Sequence, residues 1–212
     1  VDKKTVARSV YTMLTGDCAP LEALCATPIE GLKLLPADNH LAGAAVELIA
    51  QPDRITRLLD RLLPLRHRFD FLLIDCPPSL ELLTVNALTA CDTILVPTQC
   101  EFYALEGLSQ LTNSIRQIKK LYNPALDIEG VLLTMYDGRL NLTVEVAQEI
   151  KRFFGGLVYG TVIPRNVRLS EAPSHGLPVG LYDKFSRGAE SYRALAGEFL
   201  ARNQPGAGRR AT

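Results

Sequence analysis

Tryptophan is absent from these 212 residues, methionine occurs twice and histidine three times. Neither sign of charge prevails, since Lys plus Arg and Asp plus Glu number 23 each. Overall charge therefore selects neither a nucleic acid nor a membrane as partner, and any basic surface must be local. No apolar run approaches the length of a membrane-spanning helix, and the first residues lack the apolar core of a signal peptide. The five cysteines (Cys18, Cys25, Cys76, Cys91, Cys100) are odd in number and form no CxxC pair. Few histidines lie near them, so a zinc centre and a disulfide framework are both disfavoured; reduced, mostly buried thiols in a cytoplasmic protein are expected. A Gly-rich turn closing on Lys and Ser/Thr, whose backbone N–H groups would cradle phosphates, is missing as well. The single Gly-Gly pair, Gly155-Gly156, reads as a helix stop. The first residue is Val1 rather than methionine.

What is present is organised around Phe69 to Ser79. Phe71 to Ile74 form a continuous apolar run, which predicts a strand covered on both faces in a parallel sheet. Asp75 then falls at the carboxyl end of that strand, where open α/β sheets bind ligands. A carboxylate there suits a hard cation such as Mg²⁺, directly or through a water, although a strand-terminal Asp can also merely cap a turn. Pro77-Pro78 stop the strand, and Ser79 is placed to cap the next helix.

Along the chain, short helices broken at Gly16 and Pro20 are expected up to Ala26, then a short strand at Leu32–Leu35. Leu41–Ala50 reads as a helix, and Pro52 opens another with Ile55, Leu58, Leu59, Leu62 and Leu63 on one face. A short helix over Leu82–Ala90 and a strand over Thr93–Pro97 follow. The long amphipathic helix from Leu105 to Leu121 comes next, with Arg116, Lys119 and Lys120 at its negative pole. A strand over Ile128–Met135 has Gly130 where a neighbour must approach closely. Val144–Phe154 is helical, Val158–Ile163 and Val179–Tyr182 read as strands, and a last helix carries Ala189, Tyr192, Leu195, Ala196, Phe199 and Leu200 on one face. Alternation of this kind predicts an α/β fold: a mostly parallel sheet with helices on both faces. A single domain over 1–203 and a disordered tail over 204–212 are expected.

Several runs together resemble the ParA/Soj family of partitioning ATPases, within the deviant Walker group of P-loop NTPases that also holds MinD. They are Leu73-Ile74-Asp75-Cys76-Pro77-Pro78-Ser79, Gln99 to Gln110, Gly130 to Asp137, and Val162 to Gly176, with Leu181-Tyr182-Asp183 and Gly188-Ala189-Glu190. The resemblance implies a role for each matching position. Asp75 matches the catalytic Walker B acid that orders Mg²⁺ through water, and Cys76 to Ser79 match the segment that senses the γ-phosphate. Pro164 and Asn166 match the loop that holds adenine, with Met135 near the same ring. Arg139, Arg165 and Arg168 match DNA-contacting positions, and non-specific DNA binding of this kind is electrostatic. Each arginine, taken alone, also fits a solvated loop charge. His175 reads as a hydrogen-bonded loop histidine, and the spacing of Cys76 and Cys100 matches no iron–sulfur motif.

In that family Val1-Asp2-Lys3-Lys4 follows closely after the first switch. The resemblance thus implies that the phosphate loop, its signature lysine and the switch Asp precede Val1, so that the chain is N-terminally truncated. Three functions follow. The first is a fragment of a partitioning ATPase, acting as an ATP-switched dimer with Mg²⁺, non-specific DNA and a ParB-type partner, cytoplasmic and nucleoid-associated. As given, the chain is expected neither to bind nucleotide tightly nor to hydrolyse it. The second is a non-catalytic pseudo-ATPase interaction module. The third is a MinD-like membrane-cycling ATPase, against which the Gly/Ala/Arg tail counts, because it offers no basic amphipathic helix.

Overall fold

The computed structural model describes residues 6–204, in two compact units. Val1 to Lys4 and the expected tail beyond Gln204 lie outside the described residues.

The first unit comprises Val1–Asp92 and Ser114–Leu126. Helix α1 (Val10–Thr15) opens where the Ser9 N–H donates to Thr12 Oγ1 at 2.8 Å, and it stops at Gly16, whose φ of 101° only glycine adopts without strain. Pro20–Ala23 form a 3₁₀ turn, as the proline predicts. Strands β1 (Cys25–Ala26) and β2 (Lys33–Leu34) pair antiparallel. Helices α2 (Leu41–Leu48), α3 (Arg57–Leu62) and α4 (Leu82–Ala90) enclose a core of Met13, Leu14, Leu48, Leu58, Leu62 and Leu65. Asn86, fully buried, ties α3 to α4: its amide donates to the carbonyls of Arg54 (2.6 Å) and Leu82 (2.9 Å) and accepts from the Leu58 N–H (3.1 Å). A buried amide satisfied on three sides fixes helix register in a way leucines cannot.

The expected strand over Phe71–Ile74 does not form. No strand lies alongside it among the described residues, and Leu73 is 86% exposed. Apolarity supplies burial but no ladder; a strand exists only with a hydrogen-bonded neighbour. Ile74 and, ahead of the run, Phe69 pack on the core. Ser79 does not cap α4 either, because the helix begins three residues beyond it, at Leu82, with Glu81 at the N-cap.

The second unit comprises Thr93–Asn113 and Asp127–Thr212. Strands β3 (Thr93–Gln99) and β4 (Asp127–Thr134) are parallel, in register from Thr93 opposite Asp127 to Gln99 opposite Thr134, with a slip between Ile94 and Leu95. The connection between them contains α5 (Ala104–Leu121), the crossover helix that parallel pairing requires. After β4 come α6 (Asn141–Phe154), α7 (Val167–Glu171), α8 (Val179–Tyr182) and α9 (Arg187–Arg202). Val96, Val131 and Leu133 pack with Leu108 of α5 and with Val146, Ala147 and Ile150 of α6. Alternate residues Leu95 and Leu132 pack with Leu169, Leu195 and Phe199 of α7 and α9. Helices therefore cover both faces of a parallel pair, as the pattern predicts.

Two strand expectations need correction. Val158–Ile163 runs parallel to β4 but touches it at separate points, the Tyr159 and Ile163 N–H groups donating to Val131 and Leu133 carbonyls at 2.9 Å. The intervening N–H groups of Gly160 and Thr161 are taken by the Glu198 carboxylate of α9, at 2.8 and 2.9 Å, so the ladder is interrupted. Val179–Tyr182 is a helical turn instead of a strand. The Pro178 carbonyl accepts from the N–H groups of Leu181 (2.9 Å) and Tyr182 (3.0 Å), which closes the turn locally. On α9, Ala189 is buried and Leu195 and Phe199 are partly so, while Tyr192 and Leu200 remain exposed.

Candidate functional site

In the second unit, the end of β4 and the loop after Ile163 are stitched together by two backbone hydrogen bonds. The Tyr136 N–H donates to the Ile163 carbonyl at 3.0 Å, and the Arg165 N–H donates to the Tyr136 carbonyl at 3.4 Å. Tyr136 and Pro164 consequently face each other as an isolated parallel bridge. Met135 precedes this bridge with φ of 49°, in the left-handed region that a non-glycine residue seldom occupies, and its side chain is 48% exposed. Asn166 follows it as N-cap of α7, its Oδ1 accepting from the Arg168 N–H at 2.9 Å. With the oxygen engaged, the carboxamide has its NH₂ group to donate. A soft thioether, a proline ring and an amide donor thus come from two adjoining loops, a set able to pack on a planar heteroaromatic ring and donate to its edge.

The three arginines flank the same loops but differ in their partners. Arg139 grips Asp137 in a fork, Nε to Oδ1 at 2.8 Å and Nη2 to Oδ2 at 2.6 Å. That guanidinium, with the Arg139 N–H, holds the Asp137 carboxyl down at about 2. Arg168 reaches Glu171 at 2.7 Å and Asp183 at 3.3 Å, and it keeps the Glu171 carboxyl below the usual range. Arg165 is exposed and has no ion pair among the described residues. His175, expected to be a loop residue, stacks on Tyr182 with ring centroids 4.8 Å apart.

Asp75 belongs to the first unit, where it is exposed and follows the apolar stretch Phe71–Ile74. Cys76 beside it is exposed, Cys18 and Cys100 are buried, and Cys25 and Cys91 are half-buried; all five are free thiols. Among the described residues no group of three or more His, Cys, Asp or Glu side chains could hold a metal ion. Sequence reasoning missed the partner carboxylates Asp137, Glu171 and Asp183. The Arg168–Glu171 pair was visible in principle, because residues three apart on a helix meet. Asp183 was not, since only the fold brings it there.

A family model described as an AAA domain matches residues 1–128. The sporulation initiation inhibitor protein Soj of Bacillus subtilis is 52% identical over 201 residues, covering 95% of this chain and 79% of that protein. The chromosome partitioning protein ParA of Myxococcus xanthus is 47% identical over 210 residues, 99% of this chain and 74% of its own. Among solved structures, a cobyrinic acid a,c-diamide synthase of Mycobacterium smegmatis with bound ATP analog and magnesium superposes with a TM-score of 0.79. It is 35% identical and covers 95% of this chain and 75% of that one. The fold is thus α/β of the P-loop NTPase type, and the chain belongs to the ParA/Soj family of chromosome-partitioning ATPases.

Proposed function

We propose that this chain serves as part of an ATP-switched dimer that binds DNA without sequence preference and acts with a ParB-type partner, in the cytoplasm and on the nucleoid. The observation that carries the reading is the junction of Met135, Pro164 and Asn166 beside Arg139, Arg165 and Arg168, in a chain 52% identical to a Soj protein. Adenine would pack between Met135 and Pro164 with the Asn166 NH₂ on its edge. The arginines would meet the phosphates of the duplex, where each neutralised phosphate releases counterions. No helix of the described residues is long and apolar enough to cross a membrane.

Asp75 fits the role of a single carboxylate on Mg²⁺, which takes one or two carboxylates together with nucleotide phosphates. Bound there, the ion would supply neutralisation of charge on the transferring phosphoryl group; the protein's share is to position that charge. Asp75 alone cannot position a triphosphate, and these 212 residues hold no Gly-rich Lys-Ser/Thr loop. The chain as given therefore hydrolyses no ATP above background. That same lack favours a second reading, a non-catalytic interaction module. Phosphate release separates the two when measured on the chain and on a fusion carrying a Gly-rich Lys-Ser/Thr loop segment ahead of Val1. The ATPase reading expects background from the first, turnover from the second, and loss of that turnover in Asp75→Ala. An inert, folded fusion would leave the interaction module standing.

A further inference from the structure

Arg168 is held from two sides by carboxylates of different elements. Glu171 lies at the end of α7 and accepts from Nη1 at 2.7 Å, while Asp183 follows α8 and lies 3.3 Å from Nε. Glu171 is itself fixed, because the Tyr182 hydroxyl donates to the same oxygen at 3.2 Å and the His175 ring stacks on Tyr182. The loop is braced further where the Leu169 side chain fills the space over Gly188, so close that a Cβ there would stand 2.8 Å from Leu169 Cγ. One guanidinium against two carboxylates gives this cluster a net charge of −1. The Arg168 side chain nevertheless remains 49% exposed. Arg139 is paired in the same manner by Asp137.

We infer that Glu171 and Asp183 are positioning residues of the DNA-binding surface, holding Arg168 in an internal ion pair that a duplex phosphate must displace. The inference rests on the DNA-binding reading above and deepens it. Carboxylate and phosphate compete for the same planar fork of donors. A phosphate gains the Nη1 and Nε donors of Arg168 only by freeing the carboxylates, whose charge then repels the duplex. Weak basal affinity, set from within the protein, follows. Exposed pairs of this kind hold loosely enough to be exchanged, so the barrier is one of competition and does not amount to permanent closure.

The test is the affinity for a fluorescent duplex of arbitrary sequence at low ionic strength, read by anisotropy, of the 212-residue protein and of the fusion carrying a Gly-rich Lys-Ser/Thr loop ahead of Val1, the fusion with ATP and Mg²⁺. Wild type is compared with E171Q, D183N, R168A and the double variant R168A/E171Q. Losing one competing carboxylate should tighten binding roughly 1.5-fold to fivefold in E171Q, the magnitude of one exposed ion pair, and somewhat less in D183N with its longer contact. R168A should weaken binding and erase the gain of E171Q. Thermal melts verify folding, and if E171Q fails to fold D183N carries the same comparison. Weakening by R168A with no gain in either carboxylate variant overturns the inference and leaves DNA binding intact. Absence of binding by every protein, at any salt, overturns the DNA reading and the inference with it.

Discussion

A single hydrogen at Gly130 decides how closely the segment after α6 can lie on β4. A Cβ at that position would stand 2.5 Å from Tyr159 Cε2 and 2.7 Å from the Leu157 carbonyl oxygen. The ring could swing, but the carbonyl is backbone and moves only with its chain. Gly130→Ala is therefore expected to lower stability by about 1–3 kcal/mol, the usual cost of overpacking. A urea titration checks it, and an unchanged midpoint would show that the segment gives way freely. This position was legible in the sequence, as glycine in an otherwise apolar strand signals close approach. Asn86 was not legible, since one polar residue in a leucine-rich helix ordinarily faces water, and only the packing of α3 against α4 turns it inward.

Between elements, α9 is fastened to the segment beside β4 by charge. Glu198 accepts from the Gly160 and Thr161 N–H groups and from Arg202 at 2.7 Å, while Arg202 lies 3.8 Å over the Tyr159 ring. Burial alone would push the Glu198 carboxyl up; the Thr161 and Gly160 donors and the Arg202 guanidinium outweigh it and bring it down to about 2. A depressed carboxylate stabilises the fold above its ordinary pKa of 4.5 and loses that contribution as pH falls from there towards 2. Glu198→Gln should cost about 1–3 kcal/mol at neutral pH, the worth of hydrogen bonds to a charged group, and converge on wild type near pH 2. Melting curves across that range decide; a pH-independent difference would mean the carboxylate acts by shape alone. The same clamp explains why sequence reasoning misjudged this segment. The apolar pattern of Val158–Ile163 is that of a strand, but a partner 37 residues away in sequence captures its N–H groups. Helices were read more reliably than strands: Leu82–Ala90 and the stop of α6 at Gly155 follow from local signals, whereas strands depend on neighbours that no local pattern names.

For the molecule as a whole, the consequential surface is the stretch before Asp75. Phe71, Leu72 and Leu73 are 43%, 38% and 86% exposed, a run of three large apolar residues open to water with no paired strand beside it among the described residues. Such a run invites self-association. Sedimentation at increasing concentration should show growing assemblies, and Leu73→Asp should disperse them without lowering the melting temperature, because Leu73 packs on little. A strictly monomeric wild type would refute this. The run is legible as apolar, and Asp75 as its end, but apolarity alone does not establish burial. Cys76, the exposed thiol next to Asp75, also offers an experimental handle, since Cys18 and Cys100 are buried and Cys25 and Cys91 half-buried. Its thiol is pushed up, first by desolvation and then by the Asp75 charge, so a maleimide dye would couple there most readily in mildly alkaline buffer. A chain with no tryptophan adds no indole emission of its own, and the dye becomes an optical reporter one residue from the acid expected to meet magnesium.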